Sequence, residues 1–137
     1  MASTLYNPAL VAERTTPKAQ TIGYWIATGL FCLHMSVTAY AQLSVPAVAE
    51  VFSRLGFPAY FRVELSLAKL LGVLVMLAPV PARLKEWAYA GFAINLASAL
   101  IAHLAMGDGP EKWVWAPASG VFWGLSYLFW RRRQSRQ

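Results

Sequence analysis

The sequence predicts an all-α integral membrane protein, a four-helix bundle with a short interfacial helix between helices 1 and 2. Hydrophobic residues make up 58% of the 137 residues and charged residues 13%, against roughly 45–50% and about 25% in soluble domains. A chain this short cannot hide so much apolar surface in a core, because small domains keep a large surface. The apolar residues also fall into four separate runs, each near the roughly 20 residues that a bilayer requires.

The four runs cover residues 21–41, 59–77, 87–105 and 114–130. Gly56 and Pro58 precede the second run, Pro79 and Pro81 end it, and the turn sequence 107–110 follows the third, in agreement with the roles of proline and glycine at helix ends. We therefore expect one transmembrane domain at 21–130, between an N-terminal cytoplasmic tail at 1–20 and a basic cytoplasmic tail at 131–137.

The first run ends in Ala39-Tyr40-Ala41, a pattern that also marks signal-peptide cleavage sites. The run is long, however, and it follows a polar stretch of about twenty residues, whereas a signal peptide begins with a short basic region. We predict a retained helix, and cleavage before Gln42 is the alternative.

The segment between the first two runs is amphipathic. Glu50 and Arg54 are spaced for an i,i+4 pair, and Val51 and Leu55 contribute to an apolar side. This pattern predicts a short helix over residues 45–55 that lies in the membrane interface.

Basic residues predict the orientation, because short cytoplasmic loops of membrane proteins are enriched in lysine and arginine. In the four-helix topology, only Arg54 and Lys112 lie clearly on one side of the membrane, and Arg62 lies near that interface. The other side carries eight basic residues, and we predict that it is the cytoplasmic side of a bacterial inner membrane. These residues are Arg14, Lys18, Arg83, Lys85, Arg131, Arg132, Arg133 and Arg136.

The net charge of +6 does not indicate nucleic-acid binding, because the basic residues border the apolar runs instead of forming a stripe. Next to a membrane, such residues favour contact with anionic lipid. The single cysteine, Cys32, excludes an intrachain disulfide. Phosphate loops, zinc-ligand spacings and dinucleotide fingerprints are absent from the sequence. We expect no metal and no cofactor.

Ionisable residues within the apolar runs are the candidate functional residues, because charges inside a bilayer are unfavourable without a role or a partner. At a rise of about 1.5 Å per residue, His34, Lys69 and His103 come to heights of about 18, 20 and 24 Å above the inner interface, and Glu64 to about 27 Å. We predict Lys69, His103 and Glu64 as catalytic residues and His34, Asn95, Arg62 and Ser98 as ligand-binding residues. A structural role, in helix packing or ion pairing, is the alternative for each.

A stripe of small or polar residues follows one face of the third run at Gly91, Asn95, Ser98 and Ala102. Small residues allow helices in lipid to approach closely, and asparagine and serine bond across helices. We interpret Gly91 and Ala102 as a packing seam, and Asn95 as a residue that could line a cavity.

Three stretches resemble the DoxX-like family: LGFPAYF at 55–61, AKLLG at 68–72 and, most specifically, LKEWAYAGF at 84–92. His103 followed by Gly107-Asp108 extends the resemblance, which covers about residues 22–130. The resemblance implies a small four-helix bacterial membrane protein. It also implies that Lys69, Lys85, Glu86 and His103 occupy positions of the family's sequence motifs. Relatives are linked to quinone-coupled sulfur oxidation, redox-stress complexes and receptor assembly, but a shared fold does not transfer such a role.

Two functions remain open. The first is binding of, or action on, a lipophilic small molecule, quinone-like or isoprenoid-like, by cofactor-free acid–base or hydrogen-bond chemistry in the outer half of the bilayer. The second is an accessory subunit without chemistry of its own, in contact with a membrane-protein partner or a second copy. A haem held by His34 and His103 is a weaker third alternative because of their height difference, and a transporter is disfavoured because four helices leave little room for alternating access.

Overall fold

The computed structural model describes residues 8–135, with side chains from residue 18 onward. Six helices follow one another, and the part of the chain that is described contains no strand. They are α1 (Pro8–Ser44), α2 (Pro46–Arg54), α3 (Ala59–Leu77), α4 (Ala82–Ala105), α5 (Pro110–Trp113) and α6 (Trp115–Gln134). The all-α prediction is confirmed.

The four long helices form a ring in which α1 packs on α3, α3 on α4, α4 on α6 and α6 on α1. The short helix α2 packs on α1 and α3 at one end, and α5 joins α4 to α6 at that same end. We call this the α2 end. The turn between α3 and α4, together with the start of α1 and the end of α6, forms the opposite end, called here the α3–α4 end.

Helix limits differ from the expected ones where polar residues continue a helix. The helix α3 begins and ends as predicted. The helix α1 begins at Pro8, inside the expected N-terminal tail. The helix α4 begins at Ala82, five residues before the predicted run, so that Arg83 to Glu86 are helical. The basic residues Arg131 to Arg133 lie on α6. Residues 1–7 of the expected N-terminal tail and 136–137 of the C-terminal tail lie outside the described residues. The two tails remain predictions as topological segments.

Aromatic side chains fill the middle of the ring. Phe31 on α1 meets Phe92 on α4 edge to face, with the ring centroids 5.0 Å apart, and Tyr24, Met76 and Tyr89 are fully buried beside them. Since α1 supplies a large part of this core, cleavage before Gln42 would remove it. Retention of the first helix stays a prediction.

Buried polar groups form a cluster among the helices α1, α4 and α6. The Ser126 hydroxyl is 2.5 Å from Thr28 Oγ1 and 2.7 Å from the Tyr89 hydroxyl, and Trp123 Nε1 donates to the Tyr89 carbonyl oxygen at 2.9 Å. Buried polar groups that water does not reach have their hydrogen-bonding capacity met by one another.

Large apolar side chains also lie on the outer surface of the ring. Leu33, Leu71, Leu74, Ile94 and Ile101 are each more than 60% exposed. Two helical segments, Lys18–Ser44 and Ala82–Ala105, are long and apolar enough to cross a membrane. The helix α3 is of similar length but carries three charged residues.

Candidate functional site

A cavity of about 470 Å³ lies between α3 and α4 and is closed at the α2 end by α2 and the turn that follows it. Its walls are mainly apolar, with a few polar side chains at defined places, which is the usual composition of a small-molecule site. We call it the polar cavity. Its lining comprises Gln42, Val51, Phe52, Leu55, Phe57, Phe61, Leu65, Lys69, Gly91, Ile94, Asn95, Ser98, Ala99, Ala102 and His103.

Four of the residues predicted for the site line the polar cavity together. They are Lys69 on α3 and Asn95, Ser98 and His103 on α4. Asn95 and Ser98 share one face of α4, and His103 borders the same cavity from the last turn of that helix. Which of them act on a ligand, and how, stays a prediction.

The whole stripe of small residues on α4 faces this cavity. Gly91 and Ala102 line it as Asn95 does, and a Cβ atom added to Gly91 would meet nothing within 4 Å. The interpretation of Gly91 as part of a packing seam is therefore wrong. The core-facing side of α4 is instead formed by Tyr89 and Phe92, because large side chains fill the centre of the ring.

Lys69 is buried, with 7% of its surface exposed. Its ammonium nitrogen Nζ lies 3.4 Å from Thr38 Oγ1 on α1. Within residues 18–135 no carboxylate lies within 4 Å of Nζ, so Lys69 forms no ion pair with these residues. Lys69 thus brings a positive charge to the cavity that the described residues leave without a counter-ion.

His103 occupies the last turn of α4, where the backbone reversal brings Asp108 next to it. Gly107 has a φ of +72°, which glycine adopts without strain. The Asp108 N–H then donates to the His103 carbonyl oxygen at 3.0 Å. As a result, the His103 ring nitrogen Nδ1 lies 2.6 Å from Asp108 Oδ2. An ionised carboxylate only accepts hydrogen bonds, so Nδ1 carries the proton, and a neutral His103 keeps an accepting nitrogen at Nε2.

Asp108 also holds α2 in place. The Arg54 guanidinium donates to both of its carboxylate oxygens, at 2.9 and 3.0 Å, and Lys112 Nζ lies 3.7 Å away. The side chain of Asp108 is only 6% exposed. The hydrogen bonds from Arg54, followed by the one from His103, hold the pKa of this carboxyl well below its usual range. We call Arg54, His103 and Asp108 the clasp, because they join α2 to the end of α4.

We expect acid to release this clasp. The pKa of Asp108 is lower in the folded protein than the value of about 3.9 in an unfolded chain, so its contribution to stability is present above pH 4 and is lost as the pH falls toward the folded pKa. Hydrogen exchange of the α2 amides should accelerate on acidification, after correction for the intrinsic rate. The variant Asp108→Asn should exchange fast at every pH. Glu111→Gln, which removes a nearby exposed carboxyl, is the control. An equal acid response in Asp108→Asn and the native chain would contradict the assignment.

The other three predicted residues do not line the polar cavity. His34 on α1 faces α6, where its Nδ1 lies 2.9 Å from Ser119 Oγ. Arg62 donates to the carbonyl oxygen of Gln42 at the end of α1, and Glu64 is exposed. Since His34 and His103 line no common cavity, the structure gives no support to a shared haem.

Sequence reasoning missed residues whose partners are distant in the chain. Thr38 and Gln42 lie four residues apart on α1 and reach α3, where Ser66 Oγ donates to Gln42 Oε1 at 2.9 Å. Their i,i+4 spacing was the available signal. Arg54, interpreted as a partner of Glu50, binds Asp108 instead.

A second cavity continues the first along the two helices toward the α3–α4 end. It has a volume of about 320 Å³ and shares Leu65, Lys69, Gly91 and Asn95 with the polar cavity. Its further lining is apolar and reaches Leu84 and Trp87 on α4. We call it the apolar groove. Together the two cavities extend along the side of the protein where α3 and α4 meet.

A model of the DoxX-like family matches residues 26–125. The chain belongs to the DoxX-like family. The match begins in α1 and ends in α6, so that it includes both walls of the polar cavity. No curated protein and no solved structure matches the chain. Membership in the family, together with the two apolar helices, supports a membrane protein.

Proposed function

We propose that this DoxX-like protein crosses a bacterial inner membrane four times and binds a lipophilic molecule whose polar head occupies the polar cavity. The observation that supports the proposal is the meeting of Lys69, Asn95, Ser98 and His103 in one cavity of mainly apolar lining. Polar groups that converge in an apolar pocket fix the orientation of a ligand.

The distribution of side chains supports four membrane spans. On α3, the buried residues include the polar Ser66 and Lys69, while Leu67, Leu71 and Leu74 are exposed. The charge of Lys69 therefore faces protein, as charged residues in membrane helices do. The basic residues at the α3–α4 end, Arg83, Lys85 and Arg131 to Arg133, favour a cytoplasmic position for that end and for both termini.

The apolar groove indicates the shape of the ligand. The helical distance from Leu84 to His103 is about 28 Å at 1.5 Å per residue, close to the thickness of the hydrocarbon core of a bilayer. A quinone-like or isoprenoid-like molecule fits this arrangement, with its head beside Lys69 and His103 and its chain along the groove. Since α3 and α4 border the cavity from the side, entry from the lipid phase is the natural route.

The polar groups suit hydrogen bonding or acid–base chemistry on an oxygen-bearing head. The ammonium group of Lys69 donates hydrogen bonds and stabilises negative charge on a carbonyl oxygen. Asp108 fixes the orientation of the His103 ring, as carboxylates do for catalytic histidines. With Nδ1 bonded, Nε2 is the nitrogen that accepts a proton from the ligand or returns one to it.

Retention of co-purified lipophiles tests the proposal. The protein is extracted in mild detergent and its bound small molecules are identified by mass spectrometry. We expect the variant Lys69→Met, which removes a charge-assisted hydrogen bond, to retain the molecule about tenfold less. Lys112→Met is the matched control, since Lys112 is half exposed and lines neither cavity.

Unfolding temperatures of both variants show whether the fold survives, and Asn95→Ala provides a second test within the cavity. Equal retention by Lys69→Met, Lys112→Met and the native chain would overturn the proposal and favour the accessory-subunit role instead.

A further inference from the structure

A third cavity lies at the α3–α4 end, between α1, the turn after α3, α4 and α6. Its volume is about 250 Å³, and it shares no lining residue with the polar cavity or the apolar groove. Its lining comprises Tyr24, Trp25, Leu77, Ala78, Pro79, Lys85, Trp130, Arg133 and Gln134. The ligand proposed above makes no use of it.

Two cations converge on one aromatic ring in this cavity. The Arg133 guanidinium carbon lies 4.9 Å from the centroid of the Tyr24 ring, and Lys85 Nζ lies 5.9 Å from the same centroid. Lys85 Nζ is also 3.4 Å from the Tyr24 hydroxyl. Tyr24 is fully buried, so the ring that both cations face is fixed in the core.

Neither cation has an acidic partner among residues 18–135. The one carboxylate nearby in sequence, that of Glu86, accepts hydrogen bonds from Arg131 Nη1 at 3.0 Å and from the Tyr127 hydroxyl at 3.3 Å. Two like charges held in one concavity repel each other, and an anion between them would remove that repulsion. The geometry points to a ligand that carries negative charge.

We infer that this cavity binds a phosphate group, and that Lys85 and Arg133 are the residues that contact it. Arginine offers a planar fork of donors that matches phosphate oxygens, and lysine contributes a point charge. Trp25 and Leu77 are half-exposed apolar residues of the same lining. They suit the glycerol and upper acyl region of a phospholipid, and basic pockets between membrane helices bind such headgroups. The shared chemistry is a phosphate anion, supplied by an anionic lipid or by free phosphate.

Native mass spectrometry of the full chain in detergent tests this site. Phosphatidylglycerol is added in one experiment, phosphatidylcholine in a second, and inorganic phosphate competes against phosphatidylglycerol in a third. We expect the double variant Lys85→Gln/Arg133→Gln to bind phosphatidylglycerol at least about tenfold more weakly. The control Arg83→Gln/Arg132→Gln removes the same charge from exposed residues outside the cavity and should bind as the native chain does.

Competition by millimolar inorganic phosphate assigns the site to a free phosphate group, and binding of phosphatidylglycerol without such competition assigns it to the lipid headgroup. Either result supports the inference. Equal losses in the two double variants would overturn it, since a general effect of net charge would then explain the binding. Equal binding of phosphatidylcholine and phosphatidylglycerol by the native chain would do so as well. An unfolding temperature equal to that of the native chain shows that the double variant is folded.

Discussion

Replacing Ala102 with phenylalanine is expected to abolish lipophile binding while the helices stay intact. Ala102 lines the polar cavity on the α4 side, next in sequence to His103. A phenyl ring there would occupy the space of the ligand head, and the cavity has room for it because Ala102 lies on its wall and not in the packed centre. We expect retention of the co-purified lipophile to fall by an order of magnitude or more, about 1.4 kcal/mol per tenfold step.

The matched control is Ala97→Phe. Ala97 lies on the same helix, is exposed and lines none of the three cavities. Mass spectrometry of extracted lipophiles and thermal unfolding in detergent are measured on both variants. If Ala102→Phe keeps the native amount of ligand with an unchanged unfolding temperature, the ligand does not occupy this cavity.

A second large effect is expected where α3 and α4 approach each other at Gly72. A Cβ atom at Gly72 would lie 2.8 Å from the ring carbons of Phe92. That ring is buried and rests edge to face against Phe31, so it has little freedom to move away. We expect Gly72→Val to lower the free energy of unfolding by about 1–3 kcal/mol, and Phe92→Ala to lower it by about 3 kcal/mol by creating a cavity.

The two changes should compensate each other in part, because valine at position 72 would fill space left by the missing ring. We expect the double variant to be more stable than the sum of the single effects implies, by about 0.5–3 kcal/mol. Gly29→Val is the control, since a Cβ at Gly29 would meet nothing within 4 Å. Unfolding titrations of the native chain and of the four variants give the values. Strict additivity would show that the two positions do not pack as described.

Features that depend on residues close in sequence were predictable. The limits of α3 follow from Pro58 at one end and the prolines after it at the other. The stripe on α4 from Gly91 to Ala102 follows from helical periodicity. A row of small and polar residues on an otherwise apolar helix is compatible with a cavity as well as with a close helix contact. The length of α1 was underestimated, because polar residues before an apolar run also form helix.

Features that depend on the order of helices in the ring were not predictable. The helical rise gave the position of His34 along its helix, but that position does not say which neighbouring helix the residue faces. Since α1 packs on both α3 and α6, Thr38 reaches Lys69 while His34 reaches Ser119. The clasp between Arg54 and Asp108 is likewise invisible in the sequence, because 54 residues separate the two side chains.

Photo-crosslinking from within the polar cavity identifies the molecule that occupies it. A photoreactive amino acid is placed at Ala99, which lines the polar cavity, and in a second protein at Ala90, which is exposed on the same helix and lines none of the three cavities. After irradiation in native membranes, mass spectrometry identifies the adducts. We expect one specific lipophile, distinct from bulk phospholipid, on the Ala99 protein alone. The same bulk phospholipid adducts at both positions would contradict binding of a lipophile in the polar cavity.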